Sequence, residues 1–114
     1  MAQHSSRGSA LTLRGVQQRR PSLFDLIECM KTLTRPILII TGDEDWPCLE
    51  PALLMKRMIS TAGLIVIPNT GHAVNLEEPA AFNQHLDNFF HKVENGRWPT
   101  RDARAMGASI LGKQ

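Results

Sequence analysis

At 114 residues, with 42% apolar and 21% charged side chains, the chain has the make-up of one ordinary globular domain. A formal net charge of +2, with Arg7, Arg14, Arg19, Arg20 and Arg35 scattered and only Phe24 among them, argues against a nucleic-acid partner. No apolar run approaches the ~20 residues of a membrane span, and the first residues do not resemble a signal peptide, so no membrane partner and a cytoplasmic location are expected. Cys29 and Cys48 are too few for a disulfide framework and fit a reducing compartment. His4, His72, His85 and His91 show no metal-ligand spacing, and no cofactor is expected.

Taken in order, Leu11, Leu13 and Val16 give a weak helical stripe over residues 9–18, with Ser9 as N-cap. Pro21 interrupts it. Ser22 reads as the N-cap of a second helix, and Asp25 completes a capping box. Leu23, Leu26, Ile27, Met30 and Leu33 form its buried face, and Arg35-Pro36 ends it. Ile37 to Thr41 is the clearest strand. It is apolar without alternation, as expected of a parallel strand covered on both faces. An acidic loop follows, then a helix opening near Glu50-Pro51 with Leu53, Leu54 and Met58 facing the core. That helix stops near residues 60–63. Leu64 to Ile67 forms a second strand, and strand-helix-strand order predicts a parallel crossover. A last helix starts at Pro79 and carries the stripe Phe82, Leu86, Phe89, Phe90 and Val93. Asn95-Gly96 caps it, and the tail from Arg97 on is expected to wrap loosely or be partly disordered. Trp46 and Trp98 suit packing or a pocket lining, and His85 and His91 a surface.

Two loops carry the chemistry. Thr41-Gly42-Asp43-Glu44-Asp45 follows the first strand, and Asn69-Thr70-Gly71-His72 follows the second. In open parallel sheets functional groups collect at the carboxyl ends of strands. An acid there can accept a hydrogen bond from one imidazole nitrogen and leave the other free as a base. Without further context, each residue also suits a plain structural role in a loop.

Pro36 to Asp45, Val66 to His72 and Asn75 to Asn83 together resemble the C-terminal portion of the α/β-hydrolase family. The resemblance covers roughly Leu33 to Val93 and implies Asp45 as the triad acid, with Asp43 as runner-up. It implies His72 as the base, and the Glu77-Glu78-Pro79 helix as the family's final helix. The fold class it implies is α/β: a partial hydrolase fold with a short parallel sheet, flanking helices, N-terminal helices and an irregular tail. The organisation is an N-terminal arm over 1–34, a core over 35–95 and a tail over 96–114.

The implied activity is hydrolysis of an ester or related acyl bond, with a small ester as substrate. The family's nucleophile sits in Gly-x-Ser-x-Gly between a strand and a helix. That motif is absent here: Ser9 and Ser109 both miss its pattern, and Cys48 reads as a small buried residue before it reads as a thiol nucleophile. The chain alone is therefore expected to be inactive, with a non-catalytic binding or oligomerising module as the alternative. A strand with an open edge invites pairing. A homodimer or higher oligomer is expected, through that edge or through the N-terminal helices.

Overall fold

The computed structural model describes residues 6–17 and 19–102. In chain order, α1 (Ser6–Thr12) runs into a π-helical turn (Leu13–Gln17), and a 3-10 turn (Leu23–Leu26) leads into α2 (Ile27–Lys31). Then come β1 (Ile37–Gly42), α3 (Trp46–Met58), β2 (Ala62–Ile67), α4 (Val74–Glu77) and α5 (Pro79–Glu94). Among the described residues the architecture mixes helix and strand, with five α-helices and a two-stranded parallel sheet. Ile37 lies opposite Ala62, and the register runs to Gly42 opposite Ile67.

The N-terminal arm departs from expectation. Helix α1 begins at Ser6, so Ser9 lies inside it and caps nothing. Leu11 and Leu13 are exposed, and among the described residues no element covers them. The Ser22–Asp25 capping box is present, but it opens a 3-10 turn before the α-helix proper. Met30 is buried there, with Leu23 and Ile27 half-buried beside it, while Leu26 and Leu33 stay exposed.

Helix α3 starts at Trp46, four residues before the expected opening. Pro47 fills the early position that needs no N–H, and Pro51 falls one turn inside. There it forgoes one bond to the Pro47 carbonyl, which lies in the first turn and can tilt outward. The inward stripe of α3 runs Ala52, Met55 and Met58, ending at Ile59 just past the helix, and Leu53 points to solvent instead of the core. Met30, Ile59 and Ala62 form the centre of the core, with Ile37, Ile39, Met55 and Met58 packed against it.

On β1, Ile37 to Ile40 are only half-buried, short of the full two-sided cover their composition suggests. Among the described residues each strand pairs on one side only, so both outer edges are open. Over the other face lies Trp98, stacked edge-on against Phe89 with ring centroids 4.6 Å apart. Its indole Nε1 donates to the Thr61 carbonyl at 2.6 Å. Arg101 donates from Nη2 to the carbonyls of Lys56 and Arg57, and its backbone N–H reaches Ser60. These bonds satisfy carbonyls that the end of α3 leaves unpaired. Residues 97–102 are thus tied down and not loose; the rest of the tail, Ser109 included, lies outside the described residues. Trp46 and His91 are exposed, and His85, on α5, is half-buried and lines a concavity with Leu38, Leu64 and Ile65 of the sheet.

Candidate acid–base site

The two loops meet because the backbone lets them touch. Gly42 ends β1 against the carbonyls of Thr70 and Gly71, and a Cβ on it would overlap both. Asp43 N–H donates to the Ile67 carbonyl at 3.0 Å, and Glu44 N–H donates to the Thr70 carbonyl at 2.9 Å. Thr70 N–H returns a bond to Asp43 Oδ1 at 3.3 Å. Asn69 adopts φ 55°, a left-handed turn that asparagine tolerates better than most side chains. Thr70 is fully buried, and its hydroxyl donates to the Pro68 carbonyl at 2.8 Å. On the far side, Gly71 N–H is held between both carboxylate oxygens of Glu77, each at 3.1 Å.

This bracing brings Asp45 and His72 together. His72 Nδ1 lies 2.7 Å from Asp45 Oδ2. The Asp45 side chain is 10% exposed and the His72 side chain 84% exposed. Asp45 occupies the N-cap of α3, where an aspartate normally accepts a bond from the helix's own first N–H groups. Its carboxylate makes no such bond and turns to His72 instead. A local preference set aside in this way marks sites where another requirement dominates. Asp43, the runner-up acid, has its carboxylate on Thr70 N–H and serves as a brace between the loops.

Cys48 joins the pair. One turn along α3 from Asp45, its Sγ lies 3.9 Å from His72 Nδ1. The bond from His72, and next the bond from the Cys48 thiol, hold the Asp45 carboxyl below its ordinary value of 3.8. Sharing its proton with that carboxylate, and secondarily burial, push the Cys48 thiol above 9.0. A thiol held protonated is a poor nucleophile. It also lies on the Nδ1 side, the same nitrogen Asp45 engages, so it does not form the acid–imidazole–nucleophile relay of a triad. Ser9, the N-terminal serine considered from the sequence, lies on exposed α1.

Beside the three side chains is a concavity of about 260 Å³, floored by Ile39, Ile40, Pro51, Met55 and Val74. Glu77 and Thr70 escaped the sequence reading as contributors. Their roles are carried by backbone bonds that side-chain patterning does not announce. Cys48 three residues after Asp45 was a readable signal, since helical spacing puts i and i+3 on one face.

Comparison with protein-family models, with curated proteins and with solved structures finds no match to this chain. Among the described residues no helix is long and apolar enough to cross a membrane.

Proposed function

We propose that this chain carries the acid and base of an α/β-hydrolase-type active site, acting on an ester or related acyl bond. The observation that supports this reading is the 2.7 Å contact between Asp45 Oδ2 and His72 Nδ1 at the carboxyl ends of adjacent parallel strands. Asp45 holds His72 in the tautomer with its proton on Nδ1. That leaves the Nε2 lone pair facing outward to take a proton from a nucleophile and return it to a leaving group. A serine from another segment or another chain completes the site. The apolar concavity beside the pair suits a small acyl group.

Two measurements test this reading. Nitrogen-15 NMR of His72 at neutral pH should show the Nδ1–H tautomer in the wild type, with that preference lost in Asp45→Asn. An Nε2–H tautomer in the wild type refutes the role of Asp45. Hydrolysis of p-nitrophenyl esters by the chain alone should equal that of His72→Ala. A wild-type rate well above the variant would show a complete site within this sequence and overturn the half-site reading.

The open sheet edges favour a second reading, a non-catalytic oligomerising module derived from a hydrolase. It shares with the first the proposal that the chain forms a homodimer or higher oligomer by strand pairing or through the N-terminal helices. Light scattering at micromolar concentration decides the point, and a monodisperse monomer refutes it.

A further inference from the structure

We propose that Asp45, Cys48 and His72 form a three-ligand site for Zn2+, or a similar borderline-soft divalent cation, with the fourth coordination position open. One carboxylate oxygen, one sulfur and one imidazole nitrogen lie within 4.8 Å of one another. Oδ2 lies 2.7 Å from Nδ1, and Sγ lies 3.9 Å from Nδ1. A tetrahedral zinc ion with bonds of about 2.0–2.3 Å needs its ligand atoms about 3.3–3.6 Å apart. The oxygen–nitrogen pair must therefore open by well under ~1 Å, and the sulfur must close by only a few tenths. His72 can supply both of these adjustments, since its ring is largely exposed, and the oxygen–sulfur separation, within 4.8 Å, must close by at most about 1.3 Å through the Asp45 and Cys48 side chains.

The placement is built from rigid parts. Asp45 and Cys48 are joined by the bond from Cys48 N–H to the Asp45 carbonyl at 3.0 Å, in the first turn of α3. His72 follows a loop anchored by Thr70 and by Glu77. The acyl-hydrolase reading gives Cys48 no task, yet its sulfur converges on the nitrogen that Asp45 already engages. The Asp45 carboxylate is thus the acceptor on which both the imidazole and the thiol converge. A cation at the centre of the three satisfies all of them at once. A thiolate and a carboxylate also neutralise its two positive charges. On binding, the Cys48 thiol proton leaves to solvent and the His72 proton moves from Nδ1 to Nε2. The mixed thiolate and imidazole set favours zinc or cobalt over magnesium or calcium. Sequence spacing concealed the site because one ligand comes from a different loop, 27 residues beyond Asp45.

This inference does not depend on the acyl-hydrolase reading, and its test reads metal binding alone. The Cys29→Ser variant serves as the background, since Cys29 is exposed and free. Titration with Co2+ should give one equivalent bound and a thiolate-to-cobalt charge-transfer band in the near ultraviolet. Zn2+ should displace the cobalt, and calorimetry should register one Zn2+ per chain. Adding Cys48→Ser should abolish the band. Asp45→Asn or His72→Ala should weaken Zn2+ at least about tenfold, while His91→Ala should leave it unchanged. No charge-transfer band in the folded Cys29→Ser protein overturns the proposal without recourse to any ligand variant. Equal Zn2+ affinity after Cys48→Ser overturns it as well.

Discussion

Replacing Gly42 by alanine tests whether the loop bracing, and not the side-chain pair alone, builds the site. The added methyl would overlap the Thr70 and Gly71 carbonyls. Both are backbone, so no rotamer change relieves the clash. The strand ends must separate, and three bonds cross that gap: Asp43 N–H to Ile67, Glu44 N–H to Thr70, and Thr70 N–H to Asp43. At a net value of about 1 kcal/mol each, their loss costs about 3 kcal/mol. Restricting the unfolded chain by a Gly→Ala change returns about 0.4–1 kcal/mol. The balance is a loss of about 2 kcal/mol, a large share of the stability of a domain this size. Urea denaturation followed by circular dichroism should show the midpoint falling by about 1–2 M. The His72 tautomer preference should weaken in the same variant, because the two loops no longer hold their spacing. Gly15→Ala is the control, since open space surrounds that position and a helical alanine is neutral or stabilising there. Gly42→Ala within about 0.5 kcal/mol of wild type, beside a well-behaved Gly15→Ala, refutes the reasoning.

Gly63→Ala brings a methyl to 2.8 Å from the Trp98 ring and should cost about 1–2 kcal/mol in urea titrations. In a Trp98→Ala background the same change should be close to neutral, so additive losses in that double-mutant cycle refute the contact. Glu77→Gln weakens the acceptor that holds Gly71 N–H and should cost up to about 1 kcal/mol. Hydrogen exchange should then quicken at Gly71 first, and uniform quickening across β2 contradicts the local role. Lys56 is held below 10.5 by burial first and by the nearby Arg101 charge second. Its proton is therefore disfavoured in the folded state. That handicap is complete below the folded pKa and disappears as pH rises through it towards 10.5. Wild-type stability relative to Lys56→Met should rise across that alkaline window, and a fall refutes the sign.

Much of the framework was legible because it rests on local chemistry. The run from Ile37 to Ile40 lies between Pro36 and Gly42 and could hardly be other than a strand. Pro79 and Gly96 mark the last helix and its cap, and Gly96 takes the left-handed φ of 66° such a cap uses. What stayed hidden depends on partners. Strand β2 starts at Ala62, two residues early, because Ala62 and Gly63 pair with Ile37 and Leu38 despite weak intrinsic strand preference. The start of α3 at Trp46 is hard to read from sequence, because Pro47 and Pro51 both suit the first turn of a helix. The face of α3 followed from where β1 and α2 lie, which turned Ala52 inward and Leu53 outward. At the site, Asp45 and His72 were legible from their positions after the two strands. The braces at Asp43, Thr70 and Glu77 were not, since they work through backbone N–H groups.

His72 links the two proposals, and it does so through one atom. In the hydrolase-type state Nδ1 bears the proton and donates to Asp45, leaving the Nε2 lone pair as the base. In the metal-bound state the Nδ1 lone pair faces the cation and the proton sits on Nε2, where no base remains. The two states are mutually exclusive tautomers of one ring and should be distinguishable in one nitrogen-15 spectrum, recorded before and after zinc is added. Zinc binding should therefore silence any proton transfer through His72 while leaving the fold in place. Were Nδ1 to stay protonated with zinc bound, the metal would lie elsewhere on the chain. Were it unprotonated without metal, Asp45 would not be orienting the ring. Each reading can thus fail without the other, because each makes a different demand on the same nitrogen.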